Sequence, residues 1–309
     1  LAAPAGQPQG TPRTDPREAL GVALSGVGVR RIGRMRRMRT AEQQSLTDAH
    51  GLVRPWERGR SFELDSAAPS RTFGELVDRY WMVRWNRSGQ APFRQEILPH
   101  PSVNLVFEPD GARIWGVGTR RQERQLEGSG WALGAKLNPG VFTVISGVSA
   151  AAITDGSMAL SDLLGDGTPV LEISNAAPEM RDGIDAIESA LRRYLGVDDP
   201  SLQLLQSVFA DMQTAPADAR VADVARRAHV APRTLQKLFR RYVGVGPKWA
   251  LTRLRIHRAL ERLSTSPPAW TELALELGYY DHAHFIRDFR LVVGRSPSQF
   301  VAEAAAAGS

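Results

Sequence analysis

The side chains best placed to do chemistry are hydrogen-bond donors, not nucleophiles. Arg233, Gln236, Lys237 and Arg240 alternate with Leu235, Leu238 and Phe239. On a helix of about 3.6 residues per turn this order turns the apolar set inward and leaves the polar set on one exposed face. Arg and Lys can donate to guanine O6 and N7, and Gln can bond adenine through two atoms. Fifty residues on, Phe285 and Phe289 take the inward positions and leave His282, His284 and Arg287 outward.

Other chemistries find little support. The chain has no cysteine, which excludes a disulfide framework, thiolate metal sites and thiol catalysis, and fits a reducing cytoplasm. His282 and His284 diverge by about 200° on a helix and cannot chelate together. His100, alone among the strands and flanked by two prolines, reads as a turn residue or one that faces a pocket, and by itself it cannot supply a metal ligand set. Gly116-Val-Gly118 has no third glycine and makes no dinucleotide loop, and neither a P-loop nor a nucleophile elbow is present. No metal, cofactor or catalytic set is expected.

The elements that must position those donors form an internal repeat. At an offset of 50 residues, Leu235 matches Phe285, Phe239 matches Phe289, and Arg240 matches Arg290. Val243, Gly244 and Pro247 likewise match Val293, Gly294 and Pro297, with Trp249 and Phe300 following. A shorter helix precedes each copy, Val221–Ala228 and Trp270–Leu277. This is the order of two helix-turn-helix units in tandem. Ala225 and Ala274 suit a close helix crossing, Gly278 a turn, Pro232 a first helical residue and Asp281 a cap. Trp249–Leu263 reads as a single linker helix between the units.

From about Val221 to Phe300 the chain resembles the DNA-binding domain of AraC/XylS-type bacterial transcription regulators. The likeness rests on Ala231-Pro-Arg-Thr-Leu-Gln-Lys-Leu-Phe239, Gly244-x-x-Pro247, Leu277-Gly-Tyr279, His284-Phe285, Phe289-Arg290 and Gly294-x-Ser-Pro297. It implies base-reading roles for Arg233, Gln236, Lys237, His282, His284 and Arg287. Arg240 is added from its place on the same face, and Arg226, Arg241 and Arg253 are assigned to phosphates from charge alone. Two positions depart from the family pattern: His229 stands at the usual turn glycine and Ala231 at the usual serine cap.

Upstream, runs such as Tyr80–Trp85, Phe93–Leu98, Val103–Phe107, Arg113–Val117 and Trp131–Leu137 are aromatic or β-branched, and Asp110-Gly111 marks a hairpin. They predict an antiparallel β-domain, barrel or sandwich, over 67–173. Tyr80-Trp81, Pro99-His-Pro101, Asn104-Leu-Val-Phe107 and Asn138-Pro-Gly140 make it similar to an uncharacterised N-terminal domain sometimes joined to this DNA-binding domain. In the wider family such domains bind small effectors or mediate dimerisation. Trp56, Trp81, Trp85, Trp115 and Trp131 either fill the β-core or line an effector pocket with Arg94, Glu96 or Asn104.

Helical spacing at Ile184, Ile187, Leu191 and Leu195, and again at Leu202, Leu205, Phe209 and Met212, predicts a two-helix connector over 174–214 with Ser201 as a cap. Its apolar faces serve a dimer seam or pack on their own chain. Residues 1–66, with Arg30, Arg31, Arg34, Arg36, Arg37 and Arg39, read as a disordered basic extension. Net charge runs +4 over residues 1–66, −5 over 67–214 and +7 over 215–309, which points the last third at a polyanion. The uncharged run Leu137–Thr154 is broken by Asn138, Pro139, Gly140 and Gly147, so no membrane span is expected, and Ala19–Val29 lacks a cleavage site.

The whole reads as an α+β chain: β-rich domain, helical connector, and an all-α domain over 215–303. The expected function is sequence-specific regulation of transcription in the cytoplasm, not catalysis. Expected partners are double-stranded promoter DNA, a small-molecule effector, a second copy as homodimer, and RNA polymerase if it activates. The competing readings are an enzyme with its chemistry in the β-domain and a non-specific architectural DNA-binding protein.

Overall fold

The computed structural model describes residues 57, 59–165, 179–215, 218–265 and 270–308. Of the basic extension expected over 1–66, residues 1–56 and 58, Trp56 included, lie outside the described residues, as does the expected end of the β-domain near Ile173. Its last residues are not a disordered tail: Phe62 and Leu64 are buried and a strand begins at Glu63, because these apolar side chains have a sheet face to pack on.

Eight strands precede the helices: β1 (Glu63–Ala67), β2 (Val77–Arg87), β3 (Phe93–Ile97), β4 (Asn104–Glu108), β5 (Gly111–Trp115), β6 (Gln122–Leu126), β7 (Gly128–Leu137) and β8 (Ser157–Ala159). Six form an antiparallel sheet in the order β1-β2-β7-β4-β5-β8, and β3 and β6 pair as a separate ribbon. β4 and β5 pair from Asn104↔Trp115 to Glu108↔Gly111, closing the hairpin at Pro109-Asp110. β6, with the sequence Gln-Glu-Arg-Gln-Leu, carries no apolar alternation, and only its pairing with β3 makes it a strand.

Alternation along β2 divides the two faces of the sheet. Tyr80 and Met82 join Leu105, Phe107, Leu133, Ala135 and Leu137 in a core closed by α1 (Val141–Ser146) and α3 (Met180–Leu191). Between these helices lies the short α2 (Ser161–Leu164). The opposite face holds Trp81, Val83 and Trp85 against Phe62, Leu64, Phe93 and Leu126. Trp81 lies across Gly134 and Trp85 across Gly130, where a Cβ would come within 2.1 and 2.4 Å of the indole rings. These tryptophans fill space beside the sheet. The uncharged run Leu137–Thr154 becomes the end of β7, α1 and a 3₁₀ turn over Ala150–Ile153. Among the described residues no helix is long and apolar enough to cross a membrane.

The helical part contains α4 (Pro200–Thr214), α5 (Val221–Arg227), α6 (Pro232–Tyr242), α7 (Pro247–Thr265), α8 (Trp270–Glu276), α9 (His282–Val293) and α10 (Pro297–Gly308). Asp199, not Ser201, caps α4, its carboxylate accepting from the Leu202 amide at 2.9 Å. Pro200 takes the first helical position, which moves the cap one residue ahead of it and leaves Ser201 buried inside the first turn. The connector divides between two cores: Ile187 and Leu191 of α3 lie under the sheet, whereas Leu205, Phe209 and Met212 of α4 pack with Leu235, Leu238 and Phe239. Those apolar side chains are covered by their own chain.

α7 serves both helix-turn-helix units. Ala250, Leu251 and Leu254 belong to the core of the first, and Ile256, Ala259 and Leu263 to that of the second, which holds Phe285, Phe289 and Phe300. The β-domain adds Val117 to the first, with Val144 packed against it, and Leu98 to the second.

Candidate nucleic-acid interface

In the first unit α5 meets α6 across Ala225, which is fully buried, and the turn between them passes through His229 at φ 54°. A side chain in the left-handed region is strained, and His229 accepts the conformation that glycine takes freely. Ala231 begins α6 without a side-chain cap, leaving Pro232 at the first helical position. In the second unit Gly278 turns at φ 74° and the Asp281 carboxylate accepts from the His284 amide at 2.6 Å, capping α9. Both departures read from the sequence thus fall on the first unit.

The backbone hydrogen bonds of the two turns superpose at an offset of 49, not 50. Val230 donates to the Ala225 carbonyl and Tyr279 to the Ala274 carbonyl, each at 3.0 or 2.9 Å. The helix caps, Ala231 and Asp281, are 50 apart, so the second turn holds one extra residue, Tyr280, which is 94% exposed.

On α6, Arg233, Gln236, Lys237 and Arg240 are all exposed, while Leu235, Leu238 and Phe239 are buried. At about 100° per residue the four polar positions span an arc of about 100°. On α9, Arg287 is exposed and His282 partly exposed. His284 is exposed but held by its own fold: its ring meets Tyr279 edge-on at 5.1 Å, and Nε2 lies 3.6 Å from the Asp288 carboxylate. Burial, chiefly, pushes the Tyr279 phenol up, with the Asp288 charge adding to it. His282 and His284 lie about 200° apart, on either flank of the arc that matches the one on α6. That arc is Ala283, Ile286, Arg287 and Arg290, so selecting residues by charge passed over Ala283 and Ile286. Applying the 50-residue offset position by position finds them.

Much of the positive charge of this region is spent inside the molecule. Arg253 is 5% exposed, donates to the Thr119 carbonyl at 3.2 Å and lies 4.6 Å from the Trp249 ring centroid, so it is no phosphate ligand. Burial lowers its pKa, opposed by Asp288 and Tyr279. Arg255 and Arg258 donate to the Ala219 and Met212 carbonyls at 2.6 and 3.0 Å. Arg226 is exposed but pairs with Asp223 at 2.8 Å, and Arg227 pairs with Asp211 at 2.7 Å. Arg241 lies partly exposed over the Tyr242 ring at 5.9 Å. By contrast Arg233, Lys237, Arg240, Arg287 and Arg290 form no salt bridge with another described residue.

The β-domain grips both units at their far ends. Thr143 and Ser149 hydroxyls donate to the Arg241 carbonyl at 3.0 and 3.2 Å, and Thr154 donates to that of Gly244 at 3.1 Å. In the second unit Arg121 donates to the Val293 carbonyl at 3.1 Å and pairs with Glu96 at 3.0 Å, while Glu96 also pairs with Arg295. A Cβ on Gly244 would stand 2.4 Å from Thr154 Oγ1, and one on Gly294 would stand 1.8 Å from Arg121 Nη1. The two matched glycines are therefore matched sockets for the β-domain as well as helix stops. Glu96 works in this seam and not in an effector pocket, and Asn104 accepts from the Trp81 indole at 3.4 Å. His100 contacts Ser102 and Lys136 at 3.1 and 3.0 Å, and its ring lies 5.1 Å from that of His257.

Residues 224–303 match the model of a helix-turn-helix domain and residues 65–159 that of a domain of unknown function. The chain is 35% identical over 112 residues to the HTH-type transcriptional regulator GlxA of Rhizobium meliloti, over 35% of this chain and 33% of that protein. It is 29% identical over 98 residues to an uncharacterized HTH-type transcriptional regulator of Haemophilus influenzae, over 32% of this chain and 33% of that protein. A solved transcriptional regulator of Chromobacterium violaceum with an AraC-type DNA-binding domain is 24% identical, with a TM-score of 0.32 over 34% of this chain and 95% of that one. The matched part spans about a third of the length of the curated relatives. The chain carries a helix-turn-helix domain over residues 224–303 and, ahead of it, a domain of unknown function over residues 65–159.

Proposed function

We propose that the chain is a sequence-specific DNA-binding regulator of transcription that lays α6 and α9 in neighbouring major grooves of promoter DNA. The observation that carries this reading is the repeated exposed arc, supplied with cations that no described carboxylate neutralises. Helix N-terminal halves of this kind read base edges, while Lys and Arg contacts to phosphate fix the register. The 19 residues of α7 extend about 28 Å, a length suited to holding two reading helices near the roughly 34 Å repeat of the groove. Arg233, Gln236, Lys237, Arg240 and Arg287 are the readers, with His282 and His284 at the flanks. On this reading the β-domain is a sensor and not an enzyme. A small effector that binds the docked and released arrangements unequally would act through the seam at Arg121 and Thr154. A homodimer and a contact with RNA polymerase belong to the same reading, and the cytoplasm is where it works.

The test is selection of preferred duplexes by the full chain from a random library, followed by Gln236→Ala. A preferred sequence, and about a tenfold loss confined to duplexes with the preferred base under Gln236, are expected. Equal loss on selected and random DNA would remove Gln236 from base reading, and no preferred sequence would overturn the function.

A further inference from the structure

The two reading arcs differ in chemistry at two of their four positions. Lys237 matches Arg287 and Arg240 matches Arg290, but Arg233 is replaced by Ala283 and Gln236 by Ile286. Ala283 is exposed and Ile286 partly exposed, and Phe285 and Phe289 on the opposite side of α9 make the core. A single apolar side chain on a surface is ordinary. Here, however, both apolar residues share one arc with the exposed Arg287 and Arg290, at the two positions where the counterpart arc carries donors. Neither can donate or accept a hydrogen bond. His284, on the flank of the arc away from Ile286, is held against Tyr279 and Asp288.

The floor of the major groove offers one apolar feature, the C5-methyl of thymine, and it is met by small or branched aliphatic side chains. We infer that Ala283 and Ile286 read thymine methyls, so that the half of the DNA site beneath α9 is specified by thymine where the half beneath α6 is specified by hydrogen bonds to purines. Arg287 and Arg290 then serve phosphate or guanine beside those methyls. The inference rests on the chain being a sequence-specific duplex binder and adds the chemistry of the second half-site.

Replacing thymine by uracil removes the methyl and leaves the hydrogen-bonding edge intact. With the full chain and its selected duplex, the half beneath α6 is located first, as the half whose base preference Gln236→Ala relaxes. Uracil is then placed at each thymine in turn. One or two positions in the other half are expected to lose about fourfold in affinity, the worth of one buried methyl. The same uracil should cost less than twofold in Ile286→Ala or Ala283→Gly, because the contact is already gone. Thermal midpoints of both variants verify that α9 remains folded. Tolerance of uracil at every thymine overturns the inference, as does a loss undiminished in both variants. If no duplex is selected at all, the DNA reading falls and takes the inference with it.

Discussion

The first helix-turn-helix unit has the poorer turn and the exposed face richer in hydrogen-bond donors, and the second has the reverse. His229 strains the turn before α6 and Ala231 leaves its first amides without a side-chain acceptor, yet that helix exposes three cations and a glutamine. α9 has Gly278 and a capping Asp281, but its matching face carries two cations and two aliphatic side chains. The shared positions are those that pack: Leu235 with Phe285, Phe239 with Phe289, and the glycine stops that receive Thr154 and Arg121. Packing ties core positions to one another, whereas turn chemistry and the chemistry of the exposed face are each local to a few residues. A duplicated scaffold can therefore keep its core and let the other two properties diverge.

Removing the matched core rings should break both units alike. Phe239→Ala and Phe289→Ala are each expected to lower stability by about 3–5 kcal/mol, read by denaturant unfolding, since both side chains are fully buried. Phe239 stacks on Phe209 at 5.2 Å and Phe289 meets Phe300 at 6.0 Å, so a large difference between the variants would mean that one core tolerates cavities. The caps should separate the units next. Asp281→Ala is expected to cost about 1 kcal/mol, while Ala231→Ser should gain up to about 1 kcal/mol by supplying the missing acceptor. Opposite signs in thermal unfolding sharpen the comparison, and equal signs remove its basis. Smallest is His229→Gly, where relief of the left-handed strain outweighs the added freedom of the unfolded chain by about 0.5 kcal/mol. A fall in midpoint for that variant would show that His229 has a compensating contact.

Charge was a blunter guide than spacing. The excess of cations in the last third was visible in the sequence, but Arg253, Arg255, Arg258 and Arg295 are consumed by carbonyls and by Glu96 inside the fold. Arg253 looked like a phosphate ligand only because its sequence neighbours reveal nothing of Thr119, which lies 134 residues away in the chain. Strand β6 escaped notice for a related reason, since its stability comes from pairing with β3 and not from its own apolar pattern. The two tryptophans beside Gly130 and Gly134 needed cross-strand register before pocket and core could be told apart.

Read alone, the sequence determined the double helix-turn-helix scaffold, the donors on α6 and the weak turn at His229, because each depends on residues within a few positions of one another. Tertiary structure decided which arginines remain free for a partner, how the connector helices divide between two cores, and that one β-domain fastens both units at matched glycines. Those outcomes depend on contacts between residues far apart in the chain, 36 positions for Arg255 and Ala219 and 172 for Arg121 and Val293, where desolvation and the supply of hydrogen-bond acceptors, not local periodicity, set what each side chain can do.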